Sequence, residues 1–422
     1  MAADTNSLAM MLPHHHKRTQ CRLCGSPELE RVLDLTPTPL ANSFVSASEV
    51  GKPQAIYPLD VYRCGGCGHL QLLDIIDPKE LFSHYIYVSS TSPVMVSYLR
   101  AQANEIIRRT GLKAGDLVVE FGSNDGTLLR FFKEAGMKVL GVDPAANLAP
   151  ADTDVPTITD FFGAEVARRI RRDFGPAKVI CAYNVCAHID DLQGVIEGVG
   201  ELLAPDGRFV MEVGYLYDVY RNTLFDTIYH EHIDFHRVEP LQNFFARNGL
   251  TLVHAEQSDI QGGALVVYVG HSPTTAESSV AQLIGLEREA GLDKAETYRT
   301  WGQDIRRKGD ELSILLHGLK RTGKSIAAYG APAKTTTLMY HFGLDASVID
   351  YIVDDNPIKQ GVFTPGLHLP VLTPSTIYER KPDYVLVLAW NFAESIIARH
   401  RHYAGTRSRF ITPLPNLVLS GA

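Results

Sequence analysis

The chain is short of what a membrane or a nucleic acid would ask of it. Its 422 residues hold no apolar run of about 18, the length a spanning helix needs, so no membrane span is expected. Positive charge is not in excess: 40 Lys and Arg face 48 Asp and Glu, for a net charge of -8. A nucleic-acid surface wants clustered Lys and Arg, so no nucleic-acid partner is expected. Residues 1–20 lack the layout of a secretory signal, and the protein is read as cytoplasmic. They also lack apolar periodicity, which predicts a disordered tail whose His14, His15 and His16 are solvated. No short repeat recurs.

What is present is ordinary globular material, 45% hydrophobic and 21% charged, in a length that suits two or three domains. Four of the six cysteines form two C-x-x-C pairs, Cys21/Cys24 and Cys64/Cys67. Without a secretory signal that pattern reads as metal binding rather than disulfides. Each pair offers two thiolates to one ion, and Gly25, Gly65, Gly66 and Gly68 let the turns close around it. Four thiolates fill a tetrahedral zinc site and leave no position for water, so the zinc is structural. His69 is a conceivable further ligand, which two complete pairs do not need. Cys181 and Cys186, on or beside a buried strand, read as core residues.

A helix is expected from Ser92-Pro93 to Thr110. Strands and helices then alternate. Strands are expected at 117–121, 138–143, 177–182, 207–213, 250–255 and 264–269, which predicts a mainly parallel, doubly wound α/β sheet. The turn Glu120-Phe121-Gly122-Ser123-Asn124-Asp125-Gly126 lies between a strand and a helix, where backbone can approach a ligand. Asp143 ends the next strand, and its carboxylate can accept the ribose hydroxyls of an adenosine cofactor. This turn is not the G-x-G-x-x-G of dinucleotide folds. Its E-x-G-x-x-x-G form resembles motif I of class I methyltransferases, which implies S-adenosylmethionine. Glu120, Gly122, Asn124, Asp125, Gly126, Asp143 and, after the strand at 177–182, Asn184 are the expected cofactor residues.

Tyr229-His230-Glu231-His232 sets two imidazoles beside a carboxylate and a phenol, groups that can take a proton near neutral pH. His188 follows a strand, where active-site residues of doubly wound sheets collect. The spacing of His230 and His232 does not suit the H-E-x-x-H metal pattern, and a packing role stays open for both. His236, His254 and His341 are read as packing residues. Tyr85 and Tyr87 could line a pocket. Residues 276–319 read as a helical connector to a second α/β unit, with strands at 325–329, 348–353 and 384–389. In that unit the turn Gly330-Ala331-Pro332-Ala333-Lys334 and the loop around Asn356 could hold a diphosphate or could be plain turns.

Taken together, the two C-x-x-C pairs, Y-x-Y-x-S-S-x-S at Tyr85, E-x-G-S-N-D-G at Glu120, Y-H-E-H at Tyr229, G-A-P-A-K at Gly330 and I-D-Y-x-V-D-x-N-P-x-K-Q-G at Ile349 resemble the nucleotide-sugar C-methyltransferases of deoxysugar biosynthesis, especially the sugar C-3 methyltransferases. The resemblance implies a zinc-binding domain (21–92), an S-adenosylmethionine-binding class I methyltransferase domain (93–275), a helical connector (276–320) and a Rossmann-like nucleotide-sugar domain (321–422). It implies a dTDP-linked 4-keto-deoxysugar as acceptor, methylated at C-3 through an enolate. His232 would be the base, with Tyr229, Glu231 and His188 orienting it or stabilising the enolate. Tyr85 or Tyr87 would touch the sugar, and Lys334 and Asn356 would serve the nucleotide diphosphate. Thr335-Thr336-Thr337 and Asp355 depart from the family pattern and leave the nucleotide open. Two other readings remain at this stage, O- or N-methylation of a small metabolite and an inactive nucleotide-sugar-binding protein. Oligomeric state leaves no mark in the sequence.

Overall fold

Every second residue of Tyr57-Pro58-Leu59-Asp60-Val61 is buried, the alternation of a strand with one face on a core. The computed structural model describes residues 14–83, 85, 88–148, 155–400 and 409–420. In it Tyr57–Cys64 pairs antiparallel with Leu29–Thr38 on one side and Leu70–Leu72 on the other. The fourth strand of this sheet comes from far along the chain: Asp234–Phe235 adds to Leu70–Leu72. The tail expected to be disordered over residues 1–20 needs correction. His15–Lys17 is a short strand paired with Asp74–Ile76. It is tied down by charge rather than apolar burial: His15 meets Asp74 at 3.0 Å, and Arg18 meets Asp190 at 2.9 Å.

The central sheet has seven strands. In spatial order they are Leu250–Ser258, Ala264–His271, Leu203–Gly214, Ala177–Tyr183, Leu117–Phe121, Lys138–Val142 and Thr157–Ile158. All neighbours are parallel except Ala264–His271, which runs antiparallel to both of its own. This mainly parallel order is the doubly wound sheet that the resemblance implies. Both faces are covered, so the strands are mostly apolar, with the buried Glu120 and Glu212 as exceptions near their carboxyl ends. Val118, Val179 and Val210 pack under the helices Pro93–Thr110 and Thr127–Glu134. Val119, Ile180 and Met211 face Ala164–Phe174, Leu192–Leu202 and Val238–Arg247. The helix expected from Ser92 spans Pro93–Thr110, with the Ser92 hydroxyl capping Met95 N–H.

The connector is two helices, Ser278–Glu289 and Ala295–Arg321, not one stretch. The break falls at Gly291, whose left-handed backbone ends the first helix. The second helix buries Tyr298, Trp301, Ile305, Leu312 and Leu316 along one stripe. That stripe shares a core with Leu33 of the amino-terminal sheet and Leu338 of the carboxyl-terminal unit. The last unit is a six-stranded sheet, Val371–Leu372, Tyr351–Val353, Ile326–Tyr329, Tyr384–Val387, Arg409–Thr412 and Val418–Ser420, parallel but for its final strand. No helix among the described residues is long and apolar enough to cross a membrane.

Candidate active site and metal centre

The two cysteine turns are built alike. Gly25 N–H donates to Cys21 carbonyl and Gly68 N–H to Cys64 carbonyl, at 2.8 and 2.9 Å. The four Sγ atoms lie within 4.8 Å of one another, with Cys21–Cys67 at 3.6 Å and Cys24–Cys64 at 3.4 Å. A tetrahedral ion with bonds of about 2.3 Å spaces its thiolates by roughly 3.8 Å, so these four fit zinc. His69 is not among them. Its Nε2 lies 2.5 Å from Asp234 Oδ1. Cys181 and Cys186 are fully buried in the central core, apart from the quartet.

At the carboxyl end of the central sheet, Gly122 N–H donates to Val142 carbonyl and turns the chain toward Asp143. Asp143 accepts Asn124 N–H on Oδ2 and Ala145 N–H on Oδ1, both at 2.8 Å. Each oxygen keeps a lone pair for a further donor. Glu120 is buried beside it, with Oε2 unpartnered. Burial, then the charges of Asp143 and Asp125, push the Glu120 carboxyl well above the usual range. An unpartnered carboxyl oxygen next to a half-used carboxylate suits a ligand rich in donors. The hydroxyls and ammonium of S-adenosylmethionine fit that demand. Gly122 sits in the left-handed region at φ +64°, and a Cβ there would fall 2.1 Å from Val185. Asp125 and Gly126 complete the turn: Asp125 Oδ1 caps Thr127, and Gly126 N–H returns to Ser123 carbonyl. Asn124 Oδ1 and Asp125 Oδ2 accept the N–H groups of Ser89 and Ser90. Asn184 spends its side chain on Glu212 at 3.0 Å.

The Y-H-E-H run splits its side chains three ways. His232 Nδ1 meets Thr227 carbonyl at 2.7 Å, and its Nε2 meets Tyr229 hydroxyl at 3.0 Å. A carbonyl only accepts, so Nδ1 carries the proton and Nε2 offers a lone pair. His188 packs edge-on against His232, ring centres 4.9 Å apart, and its Nδ1 donates to Glu231 carbonyl at 2.7 Å. Burial is the main cause that drives both imidazoles to stay neutral, His232 down to about 3 and His188 down to about 4. Tyr229 is pushed up by burial first, then by Glu231 and Tyr85. The Glu231 carboxylate turns the other way, accepting Asn42 Nδ2 at 2.7 Å, and burial raises it to about 7. His230 leaves the cluster for Pro58 carbonyl at 3.1 Å. It therefore forms no metal pair with His232.

Tyr85 is held by Asn147, which donates to its carbonyl and accepts its N–H. Phe82 packs tilted against Tyr85 and edge-on against His188. Tyr87 lies outside the described residues. In the last unit Lys334 is buried, not open to the surface: its ammonium is 3.5 Å from Asp226 and 4.3 Å over the Trp390 ring. Asn356 is exposed and caps the turn at Ile358. Thr337 Oγ1 donates to Ile228 carbonyl, next to Tyr229, so a departure from the family pattern braces the histidine run. Asp355, the other departure, takes Tyr329 hydroxyl and Arg399. His254 pairs with Glu277, His341 accepts Thr36 N–H, and His236 stacks on His69, all in packed surroundings.

Sequence reasoning missed Glu212, Tyr98, Asn42 and Asp226. Glu212 is buried, raised to about 7 chiefly by burial, and bonded to Tyr98 hydroxyl and Asn184. Each of the four is a single polar residue whose partner lies far off in sequence, and no local spacing marks it.

Three family models match successive parts of the chain: a zinc binding domain over 21–82, a methyltransferase domain over 95–255 and a C-methyltransferase C-terminal domain over 259–415. The C-methyltransferase NovU of Streptomyces niveus is 37% identical over 94% of this chain and 95% of its own. Among solved structures, a SAM-dependent methyltransferase from Anabaena variabilis is 15% identical, covering 41% of this chain and 84% of its own at a TM-score of 0.33. Magnesium protoporphyrin IX methyltransferase from Synechocystis, with bound SAH, is 13% identical over 43% of this chain and 88% of its own, also at 0.33. Family membership rests on the sequence matches. The chain belongs to the zinc-binding, S-adenosylmethionine-dependent C-methyltransferases.

Proposed function

We propose that the chain methylates C-3 of a nucleotide-linked 4-keto-deoxysugar, a dTDP-sugar by family resemblance. The observation that carries this is the neutral imidazole of His232, whose Nε2 lone pair lies beside the Tyr229 hydroxyl. A C–H bond next to a ketone is acidic enough for such a base. His232 takes the proton, and the electron pair moves onto the ketone oxygen to give an enolate. Once Nε2 holds that proton, the Tyr229 hydroxyl no longer donates to it and would donate to the enolate oxygen instead, while His188 would orient the His232 ring it packs against. S-adenosylmethionine, when bound, supplies the electrophilic methyl group that the carbon takes. Glu120, Asp143 and the turn from Gly122 to Gly126 would hold it, with Asn184 at the neighbouring strand end.

Tyr85 would touch the sugar, because the segment that carries it packs on His188 through Phe82. Glu231 would orient the acceptor from the meeting point of Asn42 and Lys359. Lys334 and Asn356 follow neighbouring strands of the last sheet, where a nucleotide diphosphate would lie. A cytoplasmic location suits four thiols held reduced for a metal. The test is to incubate the protein with S-adenosylmethionine and a panel of 4-keto nucleotide sugars, then read product mass and methyl position. Without S-adenosylmethionine, solvent deuterium should enter the carbon next to the ketone. Methylation on oxygen or nitrogen, with no deuterium uptake, would defeat the proposal.

A further inference from the structure

Arg22 stands between two metal ligands, Cys21 and Cys24, yet its guanidinium is fully buried among acids. Nη1 lies 3.0 Å from Asp234 Oδ1 and donates to Ile233 carbonyl at 3.1 Å. Nη2 and Nε reach Asp190 Oδ1 at 3.2 and 3.3 Å. Asp190 is two residues beyond His188, and Asp234 is two residues beyond His232. The same two segments meet at Ile233 N–H on Ala187 carbonyl, 2.9 Å, and at His188 on Glu231 carbonyl. From the second cysteine turn, His69 enters the same Asp234 oxygen. Both turns thus send a side chain to one buried carboxylate behind the histidines.

We propose that Arg22 is a positioning residue that clamps the His188 and His232 segments in register, so that the zinc site sets the placement of the two imidazoles. The inference rests on the reading of His232 as the proton acceptor. A zinc ion with four thiolates has no open position and can reach the chemistry only through the protein frame. Arg22 is the covalent neighbour of one ligand, and its planar fork spans two acids in fixed directions. The imidazoles themselves are held by backbone carbonyls of the clamped segments, so a shift of a segment moves its ring. A misplacement of about 1 Å can cost on the order of 100-fold in rate.

The test uses the full-length, zinc-loaded protein and a dTDP-4-keto-6-deoxyhexose. Arg22→Lys keeps the charge and loses the fork. It should retain zinc and bind S-adenosylmethionine within about twofold of the parent. Turnover and solvent-deuterium exchange should both fall by roughly tenfold or more, with acceptor KM within about threefold. Arg247 also grips the first cysteine turn, donating to Leu23 carbonyl at 2.6 Å, but touches neither histidine segment. Arg247→Gln should leave turnover within about twofold. If Arg22→Lys does not fold, Asp190→Asn tests the same clamp from its more exposed end, with an expected turnover loss of roughly threefold to tenfold. A folded, zinc-loaded Arg22→Lys (or Asp190→Asn in its place) with turnover within about twofold of the parent overturns the clamp. So does an equal loss in Arg22→Lys and Arg247→Gln. His232→Asn run alongside separates the two ideas. Normal exchange there removes the base assignment, whereas exchange lost there and kept in Arg22→Lys removes only the clamp.

Discussion

Replacing His232 by Asn isolates the lone pair on Nε2. An Asn amide can still donate to Thr227 carbonyl, the 2.7 Å partner of Nδ1, so that buried acceptor stays satisfied. It has no atom where Nε2 meets Tyr229 at 3.0 Å. The cost to stability should therefore be that of the Tyr229 hydroxyl losing its acceptor, about 1–3 kcal/mol. The cost to catalysis should be that of a missing general base, roughly 10²- to 10⁴-fold, or about 3–5 kcal/mol of activation free energy. Cofactor affinity should not change, because Glu120 and Asp143 belong to the strand–turn unit around Gly122 and make no hydrogen bond with His232. The assay is single-turnover methyl transfer together with solvent-deuterium exchange at the acceptor carbon. Calorimetric binding of S-adenosylmethionine is the control. Exchange within about threefold of the parent, with the cofactor bound normally, would refute the assignment of the base.

Asp143→Asn should weaken S-adenosylmethionine by roughly tenfold or more, since a charged acceptor is lost where two backbone N–H groups already converge, as calorimetry would show. Gly122→Ala should destabilise by about 2–5 kcal/mol, from left-handed strain plus the clash with Val185, and Val185→Ala should recover part of that in denaturant unfolding. Removing zinc with a chelator should unfold the amino-terminal sheet, because four clustered thiolates repel one another without the ion that joins the two turns, and circular dichroism should track metal content. For Glu231 the folded carboxyl, at about 7, lies above its unfolded value, so the folded state binds the extra proton and stability falls as pH rises from about 4.5 to about 7. Glu231→Gln should flatten that fall in unfolding measured at pH 5 and pH 8.

The residues that were legible in the sequence are those whose reason is local. Ser92 and Pro93 open a helix within its own first turn. Gly122 and Asp143 mark one strand–turn–helix unit, and the cysteine pairs need only their own turns. The strand Asp234–Phe235 was invisible because two residues carry no period, and its partner is Leu70–Leu72. The surroundings of Lys334 left no mark in the sequence, where a lysine after a glycine turn suits a phosphate. Asp226 and Trp390, which bury it, come from elsewhere in the chain. The tail at His15 was misread because its order comes from Asp74 and Asp190 rather than from apolar residues of its own. The break at Gly291 hid inside a stretch that is helical on both sides.

The loan of Asp234–Phe235 to the amino-terminal sheet has a consequence for the order in which the protein is made. A ribosome delivers residues 29–72 long before residues 234 and 235 emerge. Through that interval Leu70–Leu72 is a bare sheet edge, the kind of surface that recruits stray strands from other chains. Zinc can load early on the four cysteines, but it cannot cover that edge. A fragment ending near residue 92 would carry the metal and keep the exposed edge. A fragment extended past residue 235 would close its own sheet. Anyone producing the metal-binding part alone should expect it to clump unless the missing strand is supplied in trans.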